Sequence, residues 1–287
     1  MEGADYVKSV MRPLVPIPTG VEPSLPELEG ISTVIFDIYG TLLISAAGEV
    51  GMPRKDEGGR LAMAEVNAFL EGTLHEFKGV RVAELARLLE DALSSKRASG
   101  VPFPEIDIRL IWRKILERVA PAHADGIVDA VALRYECSMN PVWEMPGSGE
   151  LIRSLVQKGI KLGIISNAQA YTHSVFAGVM GGSFEALGFD PSLAVFSYLE
   201  GEGKPSLALY QEMKKRLSDG GVFPDSVLYV GNDMTKDVIP AAAMGFRTCF
   251  FAGDDRSLRW GDLSEDEARS IADAVVTKMS QVSQLLK

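Results

Sequence analysis

The stretch Ile31-Ser-Thr-Val-Ile-Phe-Asp-Ile-Tyr-Gly-Thr-Leu42 constrains the fold of this chain more than any other. Thr33 to Phe36 are β-branched or aromatic and lack polar alternation, the pattern of a central strand in a parallel sheet covered on both faces. Open α/β sheets bind their ligands beyond the carboxyl ends of such strands, and Asp37 stands at that position. Two readings of Asp37 stand side by side. It is a functional carboxylate, or it serves the turn that it makes with nearby Gly40.

The rest of the chain supports the sheet. After Pro141 and Pro146, helix and strand signals alternate. A helix over about 148–158 ends at Gly159 and leads into a strand, Lys161–Ile165, that ends on Ser166-Asn167. A helical stretch near 170–187 and a short strand, Leu193–Ser197, follow. The loop Gly201–Pro205 opens a helix to about 217, and the strand Val227–Val230 ends on Gly231-Asn232-Asp233. A helix from 236 to Met244, a strand Arg247–Phe251, a polar turn region 254–264, an edge strand Ala272–Val276 and a closing helix complete the pattern. This alternation predicts βαβ units in a doubly wound, parallel, Rossmann-like α/β sheet.

Between about 60 and 140 the period is helical instead. Met63, Val66, Leu70, Leu74 and Phe77 recur at helix spacing, as do Val82, Leu85, Leu88 and Leu89. Ile108, Ile111, Ile115 and Leu116 form a third set, and Ile127, Val128, Val131 and Leu133 a fourth. Gly79, the stretch 100–104 and Pro121 separate them. Residues 44–60, rich in glycine and charge (Gly48, Gly51, Gly58, Gly59), read as a flap or hinge. The expected organisation is an arm over 1–30, an α/β core over 31–44 and 141–287, and an all-helical insert over 45–140. The arm carries five prolines between Arg12 and Pro26 and is expected to be extended and poorly structured.

Composition narrows the function classes. The 287 residues are 46% hydrophobic, enough for a sizeable core, and the net charge of −10 disfavours a nucleic-acid backbone as partner. No apolar run reaches the length of a membrane span. The two cysteines, Cys137 and Cys249, form no CxxC pair and read as reduced thiols of a cytoplasmic protein. Nothing in the sequence specifies an oligomeric state.

Four loops at strand ends carry reactive residues: Asp37, Ser166-Asn167, Lys204, and Asp233 with Asp237. A doubly wound sheet brings such loops to one edge. Asp37 can attack as a carboxylate nucleophile. Ser166 and Asn167 offer donors to an anionic oxygen, and Lys204 offers a point charge. Pro205 suits the first turn of a helix, which would set Lys204 at a positive helix end. The plainer readings are helix caps for Ser166-Asn167 and for the run Gly231–Asp237, and a surface loop for Lys204-Pro205. Each signal alone is weak; their order, each after a strand, is specific.

With these residues the chain resembles the haloacid dehalogenase-like hydrolase superfamily. It carries that family's first motif in Phe36–Leu42, the second in Ile164–Asn167, the third in Gly203-Lys-Pro205 and the fourth in Val230–Asp237. The resemblance covers about 31–280 and implies that the helical insert is a mobile cap over the site. It implies Asp37 as nucleophile, Thr41, Ser166 and Asn167 as substrate-binding residues, and Lys204 as the group that holds nucleophile and intermediate. It further implies Mg²⁺ held by Asp37, the carbonyl of Tyr39 and Asp233, with Asp237 supporting the metal or Lys204. The substrate is then a small, phosphorylated metabolite, hydrolysed through an aspartyl-phosphate on Asp37.

One residue departs from the phosphatase pattern. Phosphatases of the family usually carry a second Asp two residues after the nucleophile, where this chain has Tyr39. The 2-haloacid dehalogenases resemble it there, and halide leaves without a proton. Dehalogenation through an aspartyl ester is therefore the alternative, with a non-catalytic regulatory protein of the same fold as a third reading. A phenol with a pKa near 10 is a poor general base at neutral pH, so Tyr39 is expected to restrict the enzyme to substrates with good leaving groups; equal hydrolysis of alkyl and aryl esters would instead mean that another residue, from the cap, supplies the proton. The fourth motif favours the metal, since Asp37, Asp233 and Asp237 against Lys204 alone leave two uncompensated negative charges. In the insert, Arg109, Trp112 and Arg113 on one helix could face a phosphorylated ligand or simply pack and pair. His173 could reach the site or lie at the surface, and nothing singles out His75 or His123.

Overall fold

A computed structural model describes residues 3–47, 56–74 and 79–287. Helix α1 (Gly3–Val10) precedes β1 (Thr33–Phe36) and β2 (Leu43–Ser45). Helices α2 (Glu57–Thr73), α3 (Val82–Ala98), α4 (Ile108–Val119) and α5 (Ala124–Met139) follow. The chain continues through β3 (Val142–Glu144), α6 (Ser148–Gln157), β4 (Lys161–Ser166), α7 (Thr172–Met180), β5 (Phe189–Phe196) and α8 (Ser197–Glu200). Next come α9 (Leu207–Asp219), β6 (Val227–Gly231), α10 (Ile239–Ala243), β7 (Arg247–Phe251), α11 (Glu265–Ile271), β8 (Ala274–Val276) and α12 (Met279–Val282).

Six strands form one parallel sheet in the order β5-β4-β1-β6-β7-β8. β1 lies where the strand order reverses, the place at which such sheets open a crevice for ligand. All four of its residues are buried, which is why their sequence shows no polar alternation. Val34 and Phe36 pack on one face with Leu162, Ile164, Leu228 and Val230, under α6 and α7. Ile35 packs on the other with Ile165, Tyr229 and the α9 residues Leu209, Tyr210 and Met213. The apolar stripes of α2 to α5 join the first of these two clusters, so the helical insert shares a continuous core with one face of the sheet.

The differences from the sequence-based reading have local causes. β5 begins at Phe189, four residues before the expected strand, because its partly exposed Asp190-Pro-Ser192 hides the pattern. β2 and β3 pair antiparallel, Leu43 with Glu144 and Ser45 with Val142, where the chain leaves and re-enters the core. Three-residue strands this far apart in sequence leave no periodicity to read. Of the glycine-rich stretch 44–60, residues 48–55 lie outside the described residues, as do His75 and Phe77. Asp233 starts a π-helical turn, Met234–Val238, before α10. The closing helix α12 is a single turn.

The amino-terminal arm is not extended throughout. α1 buries Tyr6 and Val7 and docks on α7. From Pro13 onward the prolines exclude helix, and the extended segment is pinned to the core. Ile17 donates to the Asp254 carboxylate at 2.9 Å, Thr19 to the Ala252 carbonyl at 2.7 Å, and Ser24 pairs with Val275. Gly178 makes the docking of α1 close, since a Cβ there would lie 2.5 Å from the Val7 Cβ and 2.8 Å from the Ala4 carbonyl oxygen. Helix propensity favours Gly178→Ala by about 1 kcal/mol, so a loss would be steric. We expect this substitution to undock α1 and speed tryptic cleavage after Lys8, with the rest of the fold retained. Unchanged cleavage rates would show that α1 is held elsewhere.

Candidate active site

β1 delivers Asp37 to the sheet edge and the chain turns at once. Gly40 has φ +87°, and a Cβ there would lie 2.7 Å from the Asn232 side chain, so the turn requires glycine. From neighbouring β4 comes Ser166, whose Oγ donates to Asp37 Oδ1 at 3.0 Å. The loop before α9 brings Lys204, whose Nζ donates to Asp37 Oδ1 and to Asp237 Oδ1, both at 2.6 Å. Tyr229 on β6 donates to the same Asp237 oxygen at 2.8 Å, and the backbone N–H of Asp233 donates to Asp237 Oδ2 at 3.0 Å. Gly231 makes room for this, because a Cβ there would lie 2.5 Å from Asp237 Cγ. Asp37 is 5%, Lys204 6% and Asp237 1% exposed.

At this burial a charge is tolerated only in company. Burial works against the Lys204 ammonium, yet the Asp237 and Asp37 carboxylates outweigh it and hold its pKa above the ordinary lysine value. Burial pushes the Asp37 carboxyl up to about 6, with Lys204 pulling the other way and Asp237 adding to the rise. Burial also raises Asp233, against the Lys236 N–H that its Oδ1 accepts at 2.8 Å.

Asp37, Ser166, Lys204, Asp233 and Asp237 thus converge, as the strand ends imply. Three expected roles change. Asn167 is engaged with the protein itself: it clamps the Lys204 backbone, accepting from Lys204 N at 2.7 Å and donating one amide hydrogen to Lys204 O at 3.2 Å. Thr41 is fully buried and donates to Asn232 Oδ1 at 3.0 Å, fixing the first loop to the fourth. Pro205 does not open the helix: Ser206 caps α9, and the Lys204-Pro205 peptide is cis. Tyr39 is buried with its hydroxyl 3.0 Å from Thr172 Oγ1, and burial pushes its pKa well up.

The residues singled out in the insert pack and pair. Trp112 is fully buried against Tyr135, Arg109 pairs with Asp107 at 2.6 Å, and Arg113 with Asp125 at 2.9 Å. His173 stacks edge-on against Phe184 and Phe196, where burial lowers its pKa. His123 merely precedes α5. Cys137 and Cys249 are free and buried, and no helix is long and apolar enough to cross a membrane among the described residues.

Asp37 opens into a cavity of about 270 Å³, part of whose wall is formed by the insert. Sequence reasoning missed that part, which includes Leu89, Leu93, Arg97, Glu105 and Ile106, and it missed Arg259 on the core side. Positions 100–104 read only as a separator between helices, so no signal could have found Glu105. The charge count changes accordingly. Among the described lining residues, Asp37, Glu105, Asp233 and Asp237 are matched by Arg97, Lys204, Lys236 and Arg259. By formal count the lining is balanced, although Arg97 also pairs with Glu90 at 3.0 Å.

Oxygen donors for a hard cation remain. Among the described residues the second carboxylate oxygens of Asp37 and Asp233 accept no hydrogen bond. With the Tyr39 carbonyl they make an oxygen-only set, and Mg²⁺ is commonly held by one or two carboxylates plus water. Asp237 is not part of it, both its oxygens being occupied. No group of three or more His, Cys, Asp or Glu side chains that could hold a metal occurs among the described residues.

The fold is shared widely. A 2-haloacid dehalogenase from Pseudomonas syringae pv. Tomato DC3000 superposes with a TM-score of 0.60 at 19% identity, covering 89% of this chain and 97% of its own. A dehalogenase with an intermediate complex gives 0.50 at 16% identity over 90% and 98% of the two chains. CbbY from Rhodobacter sphaeroides, in complex with phosphate, gives 0.49 at 15% identity over 89% and 99%. No curated protein matches the sequence. The family profile described as haloacid dehalogenase-like hydrolase matches residues 31–245, three quarters of the chain, and with it this protein belongs to the haloacid dehalogenase-like hydrolases.

Proposed function

We propose that the protein hydrolyses a small phosphate monoester, with Asp37 as nucleophile and Mg²⁺ as the assisting cation. The observation that carries this reading is the state of Asp37: one oxygen is fixed by Ser166 and Lys204, and the other is left to the cavity. A carboxylate so held can attack in one direction only, and near-attack placement is worth several kcal/mol of barrier. The free oxygen attacks phosphorus as the ester oxygen departs, giving an aspartyl-phosphate that water then hydrolyses. Ser166 and the Lys204 ammonium lie beside Asp37, where they can also donate to the phosphoryl oxygens. Asp237, Tyr229 and Asn167 keep Lys204 in place.

Charge supports the dianion. The described lining is formally neutral, so a bound divalent cation makes the cavity +2 and complementary to a phosphate ester. Asp37, Asp233 and the Tyr39 carbonyl would hold Mg²⁺, which when bound neutralises charge on the transferred group. A second reading, dehalogenation of a 2-haloacid, is favoured by Tyr39 and by a cavity that needs no cation to accept a monoanion. There the free Asp37 oxygen displaces halide from carbon and forms an ester.

Asp37→Asn should lower turnover of p-nitrophenyl phosphate by at least about 10³-fold with an unaltered circular dichroism spectrum; undiminished hydrolysis would remove Asp37 as nucleophile. Activity should require Mg²⁺. If EDTA leaves it intact and chloride is released from 2-chloropropionate, the second reading takes over. Asp37 attacks only when ionised, and in the metal-free protein its pKa lies at about 6. The acid limb of kcat/KM should therefore rise through about that pH at limiting Mg²⁺ and move to lower pH as the cation is added, because a positive charge favours the carboxylate. A limb that stays put would place the metal away from Asp37.

A further inference from the structure

The Asp37 cavity has no proton-transferring group where the family's phosphatases usually place one, since Tyr39 is buried, bonded to Thr172 and held far above neutral pKa. In an in-line displacement the leaving oxygen faces away from the attacking carboxylate. The helical insert forms part of the wall of the cavity that Asp37 lines. That part is apolar at Leu89, Leu93, Ile106 and Ile108, and its one carboxyl group among the described residues is Glu105.

Glu105 is held firmly. Its Oε1 accepts from the Ile106 N–H and from Gln169 Nε2, both at 3.0 Å, and its Oε2 lies 3.1 Å from Ser197 Oγ. The surrounding loop is fastened to the core beside the catalytic candidates. Glu105 N donates to the Gly201 carbonyl at 3.0 Å, Gly203 N to Phe103 O at 2.8 Å, and Ile108 N to Gln169 Oε1 at 2.8 Å. Lys96 on α3 bridges the Glu105 and Gly201 carbonyls. Both anchors adjoin the site, one just before Lys204 and the other just after Ser166-Asn167.

The hydrogen-bond count around Ser197 leaves a place for a proton. Ser197 Oγ has one hydrogen but two acceptors within reach, Glu105 Oε2 and the Ala168 carbonyl at 3.2 Å, while it accepts from Ala168 N at 3.0 Å. With Glu105 ionised, the serine hydrogen goes to Oε2 and the Ala168 carbonyl loses it. With Glu105 protonated on Oε2, whose one partner among the described residues is Ser197, the hydrogen either faces Ser197 Oγ, returning the serine hydrogen to Ala168, or takes the second Oε2 lone pair and stays available for transfer. Both states are accommodated without moving a heavy atom.

We propose that Glu105, carried by the insert, is the acid and base of the Asp37 cavity, in the role that Tyr39 cannot fill. The assignment rests on the phosphatase reading. In the first half-reaction the Asp37–phosphorus bond forms, the phosphorus–ester oxygen bond breaks, and the Glu105 proton goes to the departing alkoxide. In the second half the Glu105 carboxylate takes a proton from water as its oxygen attacks phosphorus. The Asp37–phosphorus bond breaks, phosphate leaves, and Glu105 is protonated again; one water is consumed. Burial favours the protonated state of Glu105, against its three donors and Lys96. Arg97, Lys204 and Asp37 share the cavity with it.

The test compares p-nitrophenyl phosphate, whose leaving group needs little help, with an alkyl phosphate such as glycerol phosphate, in Mg²⁺-containing buffer. Glu105→Gln is isosteric, and its amide can donate to Ser197 as the protonated acid does. It should lower kcat/KM for the alkyl ester by about 10²–10⁴-fold and the aryl ester by less than about tenfold. Equal losses on both esters, or none, would overturn the assignment while leaving the phosphatase reading standing. The wild type offers a test that needs no variant: across aryl and alkyl phosphates its rate should depend only weakly on leaving-group pKa, and a steep dependence would overturn the assignment. Hydrolysis of neither ester overturns the phosphatase reading and takes the assignment with it.

Discussion

The site depends on one buried cation shared by two buried carboxylates. Lys204 stands 2.6 Å from both Asp37 and Asp237, and none of the three has water to fall back on. Removing one partner of such a group typically costs about 3–5 kcal/mol, because the remaining charge stays buried and unpaired. Several otherwise unrelated features follow from that constraint. Gly231 is there because Asp237 packs under the end of β6, Asn167 because the loop bearing Lys204 needs its backbone held, and Tyr229 because Asp237 must be satisfied while Lys204 is shared. The motif residues hold one Asp37 oxygen and leave the other without a partner among the described residues.

The wall contributed by the helical insert is tied to the core beside these residues at two places. Residues 103–105 bond to Gly201 and Gly203, and Gln169 receives Ile108 and Glu105. The insert wall and the loop that precedes Lys204 are therefore joined by short hydrogen bonds.

Much of this protein was legible in the sequence because its signals are local. A run of buried β-branched residues ending on Asp37, the strand ends at Ser166 and Asp233, and the helical periods at Val66, Leu85, Ile111 and Val131 each depend only on neighbours in the chain. They determine the parallel sheet, the helical insert and the convergence of Asp37, Ser166, Lys204 and Asp233 on one edge. The α1 helix is not legible locally, because its eight residues bury only Tyr6 and Val7 and are followed at once by a proline-rich segment.

What the tertiary structure alone decided is which of those groups remain free. Asn167 and Thr41 look like ligand contacts until their hydrogen bonds to Lys204 and Asn232 are seen. The motif carboxylates look like a charge excess until Arg97, Lys236 and Arg259 are brought into the same cavity. Glu105 lies in a stretch with no periodicity and no motif, and it meets Gln169 and Ser197 only because the insert folds back over the sheet. Local sequence encodes the shape of each element through backbone sterics and the alternation of apolar residues. Whether a polar side chain is spent on structure or left for chemistry depends on partners far along the chain, and those are known only when the chain has closed on itself.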